Sequence, residues 1–288
     1  MANVPDHFTR FAAIDWSGAK GSAHRGIALA HCEAGDAAPV LIDPPGRAWS
    51  RERIAEWIEA RADEPLLIGF DFSFAPPRIA RGSYLPGDTV PQTAKRFWDY
   101  VDARCDDADL GAASFLESHH RRHFYFGAAD GRKADYMHLR TCEAHYNAGG
   151  GGKPSTVYDA IGAAQVAKAS FAGMRTLARL SRTLPVWPFD PAPARGALVV
   201  EIYTAIAARA AGLGKGLSKI RTPDALDAAL ASFGSAPHIP LARYDDHATD
   251  AILAAAWLRV SAKNPALWQP TPLNQEIARS EGWTFGVV

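Results

Sequence analysis

Leu66-Leu67-Ile68-Gly69-Phe70 is a near-continuous apolar run, and it closes on a carboxylate, Asp71. A strand covered on both faces reads this way, because neither set of alternating side chains meets water. Upstream, Glu52 to Ala62 has helical spacing, with Ile54, Trp57 and Ile58 on one face, Ser50 as N-cap and Pro65 as terminator. Further upstream, Phe11 to Asp15 (FAAID) repeats the pattern of an apolar run ending in an acid. Trp16-Ser17-Gly18-Ala19-Lys20-Gly21 then reads as a turn, and Gly26 to Ala30 and Val40 to Ile42 add two strands of an antiparallel meander. Downstream, Ala197 to Ile202 (ALVVEI) is another apolar strand, carrying Glu201. Pro223 to Phe233 reads as an exposed helix, and Asp245 to Val260 as the last long one, its Ala-rich half buried.

Early strands followed by alternating helix and strand predict an α/β chain: a mixed five-stranded sheet with flanking helices. Residues 1–80 and 195–288 supply that core. Residues 81–194 read as a large, mainly helical insertion, with Thr93 to Ala103 and Ser155 to Leu184 as its best helices and Trp187-Pro188 as a break. The insertion is a candidate substrate-binding subdomain.

Asp15, Asp71 and Glu201 share a peculiar position, in an apolar strand or at its C-terminal edge. A carboxylate there is costly unless it is paired or bound to a metal. Ligands of open α/β sheets gather outside the carboxyl ends of the strands, so neighbouring strands would bring these acids together. Asp250 adds an oxygen donor from the last long helix, and Asp246, four residues earlier, lies on the same helical face. Each acid alone has an ordinary use: a turn for Asp15 or Asp71, a helix N-terminus for Asp246, a salt bridge for Glu201. As a set they favour catalysis. Oxygen-only ligands suit Mg²⁺ or Mn²⁺, and two such ions ~4 Å apart activate a water and stabilise the leaving oxygen in phosphodiester hydrolysis.

The segments AIDWSGA, GFDFSFAPP, VVEIYTA and DDHATDAILAAAWL resemble the landmarks of the domain of unknown function 429 family, over roughly residues 9–80 and 195–260. That family is regarded as a nuclease with a ribonuclease H-like fold. The order of the acids also resembles Holliday-junction resolvases of the same superfamily. The resemblance implies Asp15, Asp71 and Asp250 as metal ligands, with Glu201 and Asp246 as further ligands or supporting groups. Thr204 stands where the family usually carries proline.

Three features of the insertion invite a binding role. His119-His120-x-x-His123 encloses Arg121 and Arg122. Arg140-Thr141-Cys142-Glu143 has His138 and His145 nearby; Arg140 and Glu143 form a surface ion pair, or Arg140 clamps a phosphate if it faces the acids. His138, Cys142 and His145 match no standard zinc spacing. Gly149 to Gly152 precede Lys153, but Pro154 stands where a phosphate loop needs Ser or Thr. Ser155 or Thr156 as cap of a following helix, together with Lys153, would still hold a phosphate. Phe124, Tyr125, Phe126, Tyr136 and Tyr146 are core residues of the insertion or stacking platforms for bases.

The 288 residues carry 31 basic and 31 acidic side chains, and 48% are hydrophobic. That content excludes a disordered chain, and three cysteines exclude a disulfide scaffold. No run reaches the ~18 apolar residues of a membrane span. With no apolar leader at the start, a cytoplasmic location is expected. The zero balance is uneven: residues 110–182 hold ten basic against five acidic residues, a net of +5, and five histidines. Long-range attraction to a polyanion should be modest, while local capture of a phosphate is favoured.

The expected function is a Mg²⁺- or Mn²⁺-dependent phosphodiester hydrolase acting on nucleic acid or a nucleotide. Its catalytic set is Asp15, Asp71, Glu201 and Asp250, and its metal ligands Asp15, Asp71, Asp246 and Asp250. Lys153, Arg140, Ser17 and Lys20 are the substrate-binding candidates. Two rivals differ in kind. In an actin-like phosphotransferase binding ATP, Asp15-Trp16-Ser17-Gly18 with Lys20-Gly21 would act as the phosphate loop. A non-catalytic module would keep the fold and hold one structural metal.

Overall fold

The computed structural model describes residues 4–152, 154–161, 165–214 and 219–288. Its centre is a six-stranded mixed sheet of β1 (Arg10–Asp15), β2 (Ala28–Glu33), β3 (Val40–Leu41), β4 (Leu66–Asp71), β5 (Val186–Trp187) and β6 (Leu198–Glu201). The spatial order is β3-β2-β1-β4-β6-β5. β2 runs antiparallel to β1 and β3, while β1, β4, β6 and β5 are mutually parallel. The expected five strands are therefore six. The extra one is a two-residue edge strand beside β6, formed where Trp187-Pro188 reads as a break. Proline lacks an N–H and is tolerated just past an edge strand.

The apolar runs of β1, β4 and β6 are buried on both faces because each feeds two cores by alternation. Ala12, Ile14, Leu66, Ile68, Phe70 and Val199 point to one core. Phe11, Ala13, Leu67, Leu198 and Val200 point to the other. The first face is covered by α1 (Arg51–Glu59), α2 (Ala94–Asp102) and, beyond α3 (Thr141–Ala148), α4 (Val166–Leu180). The second is covered by α5 (Thr204–Ala210), α6 (Pro223–Ala231) and α7 (Asp246–Ser261). α7 lies directly over β1 and β2, and its run of alanines permits that close approach. Among the described residues no helix is long and apolar enough to cross a membrane.

The start of α1 matches its sequence: Ser50 Oγ accepts the Arg53 N–H at 3.1 Å. The helix expected from Ser155 instead begins at Val166, after Gln165 in a left-handed conformation. Asp159 pairs with Tyr125 in an isolated bridge, closed by the Tyr125 N–H on the Tyr158 carbonyl at 2.8 Å and the Ala160 N–H on the Tyr125 carbonyl at 3.0 Å. Thr156 caps nothing; its hydroxyl donates to the His138 carbonyl at 2.8 Å. Residues 81–194 share a core with the sheet: Phe97, Trp98, Phe171 and Met174 pack with Ile14, Ile68 and Phe70.

Candidate functional site

β1 and β4 are parallel and in register, with Asp15 beside Asp71 at their shared carboxyl end. Both acids fall on the face covered by α7, in phase with Phe11, Ala13 and Leu67. α7 starts with Asp245 as N-cap, its carboxylate accepting the Ala248 N–H at 3.0 Å. The first turns of that helix bring His247 and Asp250, three residues apart and so on one face, towards the strand ends. His247 Nδ1 meets Asp15 Oδ2 at 2.5 Å.

The electrostatics record how close these charges are. Burial raises the Asp15 carboxyl, and His247 opposes that rise. Burial, and then the Asp15 and Asp250 charges, push Asp71 up to about 8, against its Thr204 hydrogen bonds. Burial and the Asp15 charge push Asp250 up to about 7, with Lys219 opposing. The Asp15 hydrogen bond raises the His247 imidazole. Thr204 opens α5 and donates to Asp71 twice, from Oγ1 at 2.8 Å and from its backbone N–H at 3.4 Å. A proline at 204 would offer neither donor. Among the described residues Asp71 has no basic partner within ion-pair distance.

Beside these acids lies a cavity of about 390 Å³. The β1 turn (Trp16, Ser17), the insertion (Tyr146, Ser170) and Tyr203 line it together with Asp15, Asp71 and His247. Gly18 makes the roof possible: a Cβ there would fall 2.1 Å from the backbone of Lys168 and Ala169 in α4. Gly18→Ala is therefore expected to lift the start of α4 and to cost about 1–3 kcal/mol, readable as a drop in Tm.

Several residues singled out in the sequence lie elsewhere. Glu201 does not join the cluster. Its register partner is Phe70, so it stands one residue short of Asp71 and points to the opposite face. There Arg140 engages it through NH1 at 2.7 Å and through NH2. Glu201 also accepts from the Phe74 N–H at 2.7 Å and the Thr284 hydroxyl at 2.6 Å. Arg140 is no free phosphate clamp: it is 1% exposed, and each guanidinium nitrogen already donates, Nε to Glu143 at 2.9 Å. The Arg140–Glu143 pair is thus buried and not on the surface, though it borders the cavity. Asp246 turns aside to Lys219 and Arg221, the latter at 2.6 Å. Ser17 lines the cavity, but Lys20 pairs with Glu117 at 2.8 Å on the surface. Lys153 lies outside the described residues.

His138, Cys142 and His145 do not converge. Cys142 is buried near Thr284, and His145 contacts the Val288 carbonyl at 2.7 Å. Among the described residues the one group of His, Cys, Asp or Glu ligand atoms within 4.8 Å of one another is Asp88, His120 and His123. Asp15, Asp71 and Asp250 therefore stand wider apart as a set, as repelling carboxylates do. His247 escaped the sequence reading, which took Asp246 from the i−4 position. The usable signal was the i−3 spacing of His247 from Asp250.

The chain matches no protein-family model, no curated protein and no solved structure.

Proposed function

We propose that the chain is a Mg²⁺- or Mn²⁺-dependent phosphodiester hydrolase on a ribonuclease H-like sheet, acting on nucleic acid or a nucleotide. The observation that carries this reading is the in-register Asp15–Asp71 pair with Asp250 beside it, three acids whose proton affinity is raised by burial and mutual repulsion. Such a set lowers its energy by taking up protons or a cation. Its donors are hard oxygens, which fit Mg²⁺ or Mn²⁺. The strand order, with an antiparallel β2 between β3 and β1 and parallel β4 and β6 beyond, supports the fold assignment.

Asp15, Asp71 and Asp250 would hold the metal, which when bound would activate water and stabilise the leaving oxygen. Thr204 orients Asp71 through its two hydrogen bonds, and His247 orients Asp15. Trp16, Tyr146 and Tyr203 give the cavity aromatic surface for a base or sugar. Trp16 Nε1 and Ser170 Oγ, on two lining residues, are buried without a hydrogen-bond partner among the described residues. They are polar groups that a bound substrate can satisfy.

The test is hydrolysis of bis(p-nitrophenyl) phosphate, single-stranded and duplex DNA, RNA and dinucleotides, with Mn²⁺, Mg²⁺ or chelator. Metal-dependent cleavage that Asp15→Asn abolishes is the expected result. Cleavage of none of these substrates, or full cleavage by purified Asp15→Asn protein, would overturn the reading.

A further inference from the structure

Leu85-Pro86-Gly87-Asp88 is a tight turn in which the Asp88 N–H reaches the Leu85 carbonyl at 3.0 Å. Proline at the second position and Gly87 at φ 87° in the third are what a type II turn requires. The turn presents the Asp88 carboxylate to a second local structure. Arg121–His123 form one turn of 3₁₀-helix with His120 as its cap, and the His123 N–H bonds the His120 carbonyl at 3.0 Å. With three residues per turn, positions i and i+3 eclipse, so both imidazoles face the same way.

They converge on one oxygen. His120 Nδ1 lies 2.9 Å and His123 Nε2 2.8 Å from Asp88 Oδ2. Both histidines are 8% exposed, and the ring of His120 packs 4.4 Å from that of Phe115. The second oxygen of Asp88 pairs with Arg122. The far nitrogen of His120 sits 3.3 Å from the Tyr100 hydroxyl. His123 Nε2 also faces the Arg122 Nε–H at 3.3 Å, so one nitrogen meets an acceptor and a donor together. No single tautomer satisfies both contacts.

From this geometry we propose a second metal site, formed by Asp88, His120 and His123 and separate from the carboxylate cluster at the sheet edge. Two imidazole nitrogens and one carboxylate oxygen select a borderline transition metal, Zn²⁺ above all, over Mg²⁺. The supporting contacts are those a ligand set needs: Tyr100 fixes the tautomer of His120, and Arg122 orients the carboxylate. Asp88 is the least buried of the three, so solvent approaches the group from its side. A metal here joins the 85–88 turn to the 120–123 turn, two pieces of the insertion with little regular structure of their own.

The experiment titrates the full chain, stripped with chelator, with Co²⁺ and then Zn²⁺, reading calorimetric stoichiometry and visible absorption. With Mg²⁺ in excess to occupy the carboxylate cluster, the expected result is one Co²⁺ per chain with the intense bands of a four-coordinate site, displaced by Zn²⁺. Asp88→Asn and the double variant His120→Gln/His123→Gln should weaken the binding that gives those bands by ~10–100-fold or more. Absence of Co²⁺ and Zn²⁺ binding by the folded wild type would overturn the proposal. So would unchanged four-coordinate Co²⁺ bands in the folded double variant. If the double variant does not fold, zinc-edge absorption of the wild type decides: scattering from two imidazoles supports the site, and its absence refutes it.

Discussion

Asp71→Asn is expected to make the metal-free protein more stable and, at the same time, inactive. In the folded chain Asp71 keeps its proton up to about pH 8, because burial and the charges of Asp15 and Asp250 oppose ionisation. In the unfolded chain the same carboxyl ionises near the ordinary value of 3.8. The folded state thus binds more protons between those limits. The stabilisation is complete below about pH 4 and is lost as pH rises through about 8. Asp250, pushed up to about 7, acts in the same direction. Asparagine at 71 keeps an oxygen for Thr204 and removes the charge. At pH 8 the gain should be about 2 kcal/mol, or roughly 5 °C in Tm, and the pH dependence should flatten. Mn²⁺ should stabilise the wild type and leave the variant unmoved. Phosphodiester cleavage should fall on the order of 10³-fold, the scale of losing a group that acts on the transition state. Thermal melts from pH 4 to 9, with and without Mn²⁺, check the first half. A variant less stable than the wild type at pH 8 would refute the charge repulsion on which the site rests.

Arg140→Met is expected to show the reverse pattern: a large loss of stability with the chemistry retained. Arg140 neutralises both Glu143 and Glu201 in the interior and also donates to the Glu281 carbonyl at 3.0 Å. Methionine fills much of the volume and leaves two buried acids without a countercharge. Breaking a buried pair from one side costs about 3–5 kcal/mol. The double variant Arg140→Met/Glu201→Gln should recover part of that, because one stranded charge is gone and glutamine still accepts from Phe74 and Thr284. At a temperature where Arg140→Met remains folded, metal-dependent cleavage per folded molecule should stay within a few-fold of the wild type. Abolished cleavage in a fully folded variant would return Arg140 to the role of phosphate clamp.

These two residues show where the sequence was legible. Asp15 and Asp71 were readable because an acid closing an apolar strand has few cheap explanations, and both strands announce themselves by burial on two faces. Asp250 followed from a helix that is polar at its start and alanine-rich after it. Glu201 carried the same signature and meant something else. Nothing local distinguishes it from Asp71; the difference is its register partner, Phe70, which turns it to the other face and towards Arg140. Asp246 and His247 are adjacent on α7, and only the docking of that helix decides which meets Asp15 and which meets Lys219 and Arg221.

The insertion was the least legible part. Ser155 to Ala160 carries no proline or glycine, yet backbone hydrogen bonds joining Tyr125 to Tyr158 and Ala160 hold Asp159 in a bridge, and that contact spans more than thirty residues of chain. The Asp88, His120 and His123 group likewise joins two turns far apart in sequence, so the histidine spacing alone named no partner.

By itself, then, the sequence determined that the chain forms a helix-covered mixed sheet, with acids at the carboxyl ends of its strands. Apolar content and its periodicity are properties of each segment taken alone, and folding leaves them unchanged. Tertiary structure decided which acids share a face. Side chains of a strand alternate with a period of two, so a one-residue offset between neighbouring strands separates a carboxylate facing Asp15 and α7 from a buried ion pair.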